Sequence, residues 1–137
     1  KCFAFMEQEL FARAQIAYQQ AQAHEERLGF INQQIQEMEE FNSGLKQLAH
    51  NKQGEILASL GKGVFVKTKR IEQDFFVDVG SQVFVKRNLS DIQMTLGEQI
   101  NRLTELREEI KEELADLKQD LSEMMESVEP VQKHKTI

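Results

Sequence analysis

Residues 56–86 have the sequence ILASLGKGVFVKTKRIEQDFFVDVGSQVFVK, and this stretch decides the fold of the chain. β-Branched and aromatic residues dominate it and glycines interrupt it, a composition that predicts short strands joined by tight turns. Gly80-Ser81 suits a two-residue type II′ turn, because glycine adopts a positive φ at little cost. We therefore predict two β-hairpins within residues 55–87, joined by a polar connector from Lys69 to Gln73.

The residues before the hairpins follow one long heptad pattern. Apolar or small residues recur at alternating steps of four and three, which is the spacing of a coiled-coil seam. No proline interrupts the pattern, so we predict a continuous coiled-coil helix over residues 1–50, roughly 70 Å long. The seam positions are Leu10, Ala14, Ala17, Ala21, His24, Leu28, Ile31, Ile35, Met38, Asn42 and Leu45.

A second heptad pattern follows the hairpins. Asn88 precedes Asp91 by three residues, which is typical of a helix start with a side-chain cap. We predict a helix over residues 88–129, ended by Pro130, and a flexible tail over residues 130–137. Apolar residues recur at Leu89, Leu96, Leu103, Ile110, Leu117, Met124 and Val131. The companion positions are first Ile92 and Leu106 and then, in a changed phase, Leu114, Leu121 and Val128, which predicts a stutter.

Each apolar seam needs a partner, and the closest is the other helix of the same chain. The hairpins reverse the chain direction, so the two helices should pair antiparallel, with the hairpins at one end. Isolated hairpins are marginally stable and expose strand edges, which further strands from other subunits would cover. The pattern therefore predicts a mainly α fold with a small β part, which oligomerises through its hairpins.

This layout resembles the alpha class of the prefoldin family, in which two hairpins separate the helices. The residues that carry the resemblance are Gly61–Lys67 and Phe76–Lys86. The second stretch is similar to the alpha-class hairpin V-x-V-G-x-G-x-x-V-E-K, although Ser81-Gln82 stands where a second glycine is common. The resemblance covers essentially the whole chain, so residues 1–137 are expected to form a single prefoldin-like domain.

The resemblance implies an ATP-independent chaperone that captures unfolded client proteins and passes them to a group II chaperonin. It also implies a hexamer of two alpha-class and four beta-class subunits, whose hairpins form a β-barrel hub. The alternative is a structural coiled-coil scaffold or a filament-forming prefoldin-like paralogue. The hub is expected to contain Leu57, Val64, Phe65, Val66, Phe75, Phe76, Val77, Val79, Val83, Phe84 and Val85.

Both helix ends carry more apolar residues than a seam needs. A two-helix coil uses about two apolar positions per heptad, and residues 3–11 exceed that number. We predict that these helix-end residues meet in the antiparallel coil and bind unfolded polypeptide. Alternatively, they pack against one another and close the end of the coil. The helix-end residues are Phe3, Phe5, Met6, Leu10, Phe11, Leu121, Met124, Met125, Val128 and Val131.

Composition disfavours several other classes of function. The net charge of -6 disfavours binding to nucleic acid, and no apolar stretch approaches the length that crosses a membrane. Cys2 is the only cysteine, so no intramolecular disulfide is possible and a cytoplasmic location is expected. The three histidines are scattered, and His24 is expected to be a polar seam residue. We therefore expect no catalytic residue, no metal and no cofactor.

Acidic residues concentrate in the second helix. Nine acidic residues and three basic residues lie between Glu105 and Glu126. They form either a solvated helix face with pairs such as Glu98–Arg102, or a surface that contacts basic patches on a chaperonin.

Overall fold

Two long helices flank two β-hairpins in the computed structural model, which describes residues 2–51 and 53–135 and the side chains of residues 4–51 and 53–127. Helix α1 spans Cys2–His50 and helix α2 spans Leu89–Lys135. The mainly helical fold with a small β part is therefore confirmed. The strands are β1 (Glu55–Gly61), β2 (Val64–Lys69), β3 (Phe75–Asp78) and β4 (Phe84–Arg87).

The chain forms two compact units. We call residues Lys1–Gln34 with Leu103–Ile137 the helical unit, and residues Ile35–Arg102 the hairpin unit. Within the helical unit, Glu25 pairs with Lys118 at 3.3 Å, whereas the later residue Asn32 contacts the earlier residue Arg107 at 3.5 Å. The order of the partners is reversed, so the two helices are antiparallel there, as predicted.

The seam supplies the core of the helical unit. Its buried residues are Ala17, Ala21 and Ile31 from α1 and Ile110 and Leu114 from α2, and Ile110 is only 2% exposed. All eleven predicted seam positions of α1 are buried or half-buried. The same holds for Leu103, Leu106, Ile110, Leu114 and Leu117, where the heptad phase shifts.

One predicted end of α2 is correct and the other is wrong. The Asn88 side-chain oxygen accepts a hydrogen bond of 2.8 Å from the Asp91 N–H, as a helix cap should. At the other end, α2 continues through Pro130 to Lys135, so neither the stop near Glu129 nor the tail from residue 130 is found. Proline lacks an N–H, and the helix passes it with one backbone hydrogen bond fewer. The residues after it include Gln and Lys, which are good helix formers.

The two hairpins are separate two-stranded antiparallel sheets. In the first, Gly61 pairs with Val64 around Lys62 and Gly63, whose φ angles are 53° and 78°. Positive φ at both central residues is the pattern of a type I′ turn, which favours glycine. A β-bulge between Ser59 and Gly61 shifts the register just before this turn.

The turn of the second hairpin differs from the prediction. The Val83 N–H donates to the Gly80 carbonyl at 3.0 Å, so Ser81 and Gln82 are the central residues rather than Gly80 and Ser81. Their φ angles are 51° and 61°, and Gly80 has a φ of 124°. The Asp78 carboxylate accepts the Gly80 N–H at 2.9 Å, which fixes Gly80 before the turn rather than inside it.

Arg70 holds the connector between the hairpins. Its backbone N–H donates to the Gly54 carbonyl at 2.7 Å. Its guanidinium donates to the Leu48 carbonyl in the last turns of α1 at 3.3 Å and to the Gln73 carbonyl at 2.6 Å. The same group lies 4.8 Å from the centroid of the Phe75 ring, a cation–π distance. One side chain therefore joins the end of α1 to the start of the second hairpin.

A second contact fixes the connector to β4. The Lys86 Nζ atom lies 2.8 Å from a carboxylate oxygen of Glu72. The hydrogen bond to Glu72 and its negative charge raise the pKa of Lys86 above the ordinary value for lysine. The raised pKa favours the charged ammonium form of Lys86, which is the form that pairs with a carboxylate.

We expect Ile110→Ala to lower the free energy of unfolding by about 2–5 kcal/mol, because it leaves a cavity in the most buried part of the seam. Urea denaturation followed by helical circular dichroism measures this loss. The control is Met125→Ala on the same helix, whose side chain is exposed, and its effect should stay within about 0.5 kcal/mol. Equal effects of the two substitutions would contradict the assignment of the core.

We expect Arg70→Ala to destabilise the hairpin unit by about 1–3 kcal/mol, because two carbonyl groups lose a charged donor. Arg70→Lys keeps the charge but not the two-pronged geometry, and should recover only part of the loss. Amide hydrogen exchange should report faster opening of residues 70–75 in both variants. The control is Arg102→Ala, which removes an exposed arginine of the same unit. Its amide exchange at residues 70–75 should be unchanged.

Candidate functional site

The N-terminal turns of α1 and the C-terminal turns of α2 lie side by side in the helical unit. A shallow cleft of ≈ 290 Å³ has walls from both helices. Leu10 and Met124 supply its apolar part, and both are half-buried, as is Leu121. The polar lining residues are Arg13, Asp120, Glu123 and Ser127. The structure thus brings together helix-end residues that are more than one hundred positions apart in sequence.

Other predicted helix-end residues face solvent. Phe5 is 70% exposed, and Met6, Phe11 and Met125 are exposed to a similar degree. These four side chains are not packed against other residues to the extent that Leu10, Leu121 and Met124 are. The side chains of Phe3, Val128 and Val131 lie outside the part of the chain whose side chains are described.

This arrangement suits the binding of irregular apolar surfaces. Exposed phenylalanine offers a large apolar area, and methionine adapts its shape through three rotatable bonds. Several large, exposed apolar side chains near the ends of two paired helices, on a chain rich in charged residues, favour an interaction site there. Arg13, Asp120 and Glu123 surround the cleft and keep it hydrated at its rim.

The hairpins form the second exposed apolar surface. Phe76 lies opposite Lys86 and Phe84 lies opposite Asp78, so both phenylalanines are on the same face of the second hairpin. Among the predicted hub residues, Phe75, Val77 and Val85 are half-buried. The exposed ones are Leu57, Val64, Phe65, Val66, Phe76, Val79, Val83 and Phe84.

The strand edges of the hairpins have no partner strand within residues 2–51 and 53–135. Unpaired N–H and C=O groups beside exposed Phe and Val side chains favour the addition of strands from another chain. The hairpin surface is therefore suited to assembly, and the helix ends are suited to binding apolar segments.

Sequence reasoning missed three residues of the hairpin unit. Arg70 falls within the predicted polar connector, but the sequence did not indicate that its side chain contacts the Leu48 and Gln73 carbonyls. Ile71 is 95% exposed and Leu60 is also exposed, and neither was among the predicted hub residues. A signal for Ile71 was present, since it is the one apolar residue in the polar run from Lys67 to Asp74.

His24 lies on the seam, as predicted. Its Nε2 atom is 3.5 Å from a carboxylate oxygen of Glu113, and its side chain is 20% exposed. Its Nδ1 atom is buried and has no hydrogen-bond partner among the described residues. A polar side chain at one seam position disfavours alternative registers, in which it would be buried without the Glu113 contact.

The described residues show no assembled metal site and no membrane span. Nowhere in residues 2–51 and 53–135 do three or more His, Cys, Asp or Glu side chains gather in a way that suits a metal ion. Neither helix, as far as it is described, combines the length and the apolar character needed to cross a bilayer.

Comparison with known proteins identifies the fold and the family. The cryo-EM structure of a filamentous prefoldin from Methanocaldococcus jannaschii has a TM-score of 0.71 with this chain and is 17% identical to it. The similarity covers 85% of this chain and 98% of that chain, and at this identity it shows the fold alone. No curated protein matches the sequence. The family profile described as prefoldin subunit matches residues 17–134, and the chain therefore belongs to the prefoldin family.

Proposed function

We propose that the chain is an alpha-class subunit of a hexameric chaperone that holds unfolded proteins without ATP. Prefoldin subunits assemble into oligomers, and the family is one of non-enzymatic chaperones and scaffolds. The observation that carries the proposal is the exposure of Phe5, Met6, Phe11 and Met125 beside the cleft formed by the two helix ends. In this proposal residues 1–137 act as a single prefoldin-like domain in the cytoplasm.

The size of the exposed surface predicts weak binding by one subunit. Full burial of one Phe or Met side chain contributes roughly 1.5–3 kcal/mol, and ordering a flexible client offsets much of this. Several subunits that hold the same client raise the effective affinity by avidity, without any new contact. Weak, multiple contacts also allow release without nucleotide hydrolysis.

Assembly through the hairpins supplies that multiplicity. The proposed complex contains two alpha-class and four beta-class subunits, whose hairpins complete one another's sheets in a β-barrel hub. The exposed residues Phe76 and Phe84 and the unpaired strand edges support this arrangement. Phe65 and Val66 of the first hairpin and Ile71 of the connector are also exposed, and they add apolar area that other subunits could cover.

Transfer of the client to a group II chaperonin is the last element of the proposal. Nine acidic residues and three basic residues between Glu105 and Glu126 give α2 a strongly acidic surface. Such a surface attracts a basic patch on a partner and accelerates the encounter at low salt.

A filament-forming scaffold is the second candidate function. The observation that favours it is the likeness in fold to a filamentous prefoldin. In this case copies of the chain would associate through their own hairpins, and no beta-class partner would be needed.

The helix-end residues can be tested by replacing exposed apolar side chains with glutamine, which is a good helix former. We expect Phe5→Gln, Met6→Gln and Phe11→Gln together to abolish most of the protection of a denatured client against aggregation, because the apolar contact area is lost. Light scattering of the diluted client, with the complex in stoichiometric amount, measures protection.

The matched control for this test is Phe41→Gln with Met94→Gln, which removes two exposed apolar side chains of the hairpin unit. Protection by this control should equal that of the unchanged protein. The helix-end hypothesis is wrong if both variants protect equally while their helical content and assembled mass are unchanged.

The hub can be tested through the mass of the complex after co-expression with a beta-class subunit. We expect Phe76→Ser with Phe84→Ser to prevent assembly, because the exposed face of the second hairpin loses its apolar residues. Light scattering coupled to size-exclusion chromatography should report a hexamer for the unchanged protein and separate subunits for this variant. The helix-end variant is the control and should remain hexameric.

The same measurement separates the two candidate functions. Particles that grow with concentration when the chain is alone, and that give no client protection, would favour the scaffold and contradict the chaperone. A defined complex that forms only with the partner would contradict the filament.

A further inference from the structure

A second apolar stripe runs along α1 within the helical unit. Ile16, Ala23 and Phe30 are spaced by seven residues and therefore lie on one face of a coiled-coil helix. All three are exposed; Ile16 is 57% and Phe30 is 62% exposed. They occupy heptad positions other than those of the seam, so packing against α2 does not account for them.

The segment of α1 around Ile16 and Ala23 carries no charge. Residues 14–23 have the sequence AQIAYQQAQA and contain no Asp, Glu, Lys, Arg or His, in a chain of which 29% is charged. An exposed helix face normally carries charged residues opposite the apolar seam. Here glutamines border the apolar side chains and offer hydrogen bonds without a charge that would have to be desolvated.

Two grooves between α1 and α2 meet at Ala23. The first has a volume of ≈ 540 Å³ and is lined on its apolar side by Phe30, Leu103 and Leu106. The second has a volume of ≈ 440 Å³ and contains Leu117. Both are shallow and open to solvent rather than enclosed. Together they form a continuous apolar path, which we call the lateral groove.

The lateral groove has an acidic rim. Glu113 and Asp116 line the second groove, and the described side chains place no Lys, Arg or His nitrogen within ion-pairing distance of Asp116. Among the described side chains, Glu113 has one neighbour that can carry a positive charge, His24, whose Nε2 atom is 3.5 Å from a Glu113 carboxylate oxygen. In the first groove, Glu26 and Arg27 balance each other in formal charge.

Charge also argues against a second copy of this chain as the occupant. Another copy would bring its own acidic α2 and a net charge of -6 towards Glu113 and Asp116. Like charges brought together at an interface are repulsive. A segment that combines apolar side chains with Lys or Arg would instead fill the floor and pair with the rim.

We propose that the lateral groove binds extended segments of unfolded polypeptide that combine apolar with basic side chains. This inference rests on the proposed chaperone function and names the class of client segment that the helical unit prefers. Ala23 and Phe30, which line the grooves, contact the apolar side chains of the client. Ile16 lies outside the lining, one heptad before Ala23 on the same face of α1, and extends this contact. Glu113 and Asp116 pair with its lysine or arginine side chains.

Three unstructured peptides test the preference. They share the same apolar residues and length and differ only in whether the polar positions are Lys, Gln or Glu. Fluorescence anisotropy with the assembled complex should give the lowest Kd for the Lys peptide and the highest for the Glu peptide, at least about tenfold apart at about 0.1 M salt. The difference should shrink towards about 1 M salt, where charges are screened beyond about 3 Å.

Two sets of substitutions assign the preference to the groove. Ile16→Gln with Phe30→Gln should raise the Kd of all three peptides severalfold, because the apolar floor is lost. Glu113→Gln with Asp116→Asn should weaken the Lys peptide alone and leave the Gln peptide unchanged. Phe41→Gln with Met94→Gln is the matched control and should change no Kd. Circular dichroism of each variant confirms that the helices persist.

The outcomes separate this inference from the proposed function. Equal affinity for the three peptides, with client protection intact, would overturn the charge preference and leave the chaperone standing. Unchanged binding in the Ile16 and Phe30 variant would overturn the groove as the site. If the unchanged chain self-associates and the Ile16 and Phe30 variant does not, a second copy of the chain is the occupant and the inference is overturned. If the unchanged complex neither binds the peptides nor protects a denatured client, the proposed chaperone function itself is contradicted.

Discussion

The burial of one narrow apolar seam between α1 and α2 is the interaction on which the rest of the protein depends. In the helical unit the buried side chains are Ala17, Ala21, Ile31, Ile110 and Leu114. A two-helix coil has a single layer of side chains between its helices, so every other face remains in contact with solvent. Apolar residues on those other faces therefore cannot contribute to the core. Their exposure follows from the architecture and leaves them available to bind another molecule.

The hairpins also leave apolar residues uncovered. A two-stranded sheet has no second layer to cover its apolar face and no neighbours for its edges. Arg70 fixes the connector through carbonyl groups and the ring of Phe75, which orders the backbone between the hairpins but covers little of their strand surface. The hairpin unit is therefore well ordered at its connector and incomplete at its strands, which is what assembly with other subunits requires.

Features set by local or periodic rules could be predicted from the sequence. The seam follows a period, the Asn88 cap acts over three residues, and the excess of apolar residues near Phe5 and Phe11 shows in the composition. Arg70 could not be predicted, because its partner Leu48 is 22 residues away and meets it only in the fold.

Two further errors came from applying rules for single residues. Gly80 does adopt a positive φ, but the Asp78 carboxylate holds it outside the centre of the turn. Pro130 does remove a backbone donor, but the neighbouring residues still favour a helix. The sequence left open whether the helix-end residues are exposed or packed against one another, and the structure shows Phe5, Met6 and Phe11 exposed. Their role in binding is a matter of affinity, which composition does not report.

The two helices of the helical unit differ in surface chemistry. Apolar exposure lies mainly on α1, at residues such as Phe11, Ile16 and Phe30, whereas α2 between Glu105 and Glu126 carries nine acidic residues. Charge repulsion acts over a screening length of about 8 Å at physiological salt, whereas apolar attraction requires contact. A second copy of the chain therefore meets repulsion before its apolar residues can touch. A client segment with basic and apolar side chains is attracted by charge at long range and by apolar contact at short range. The same surface can therefore bind clients without self-association.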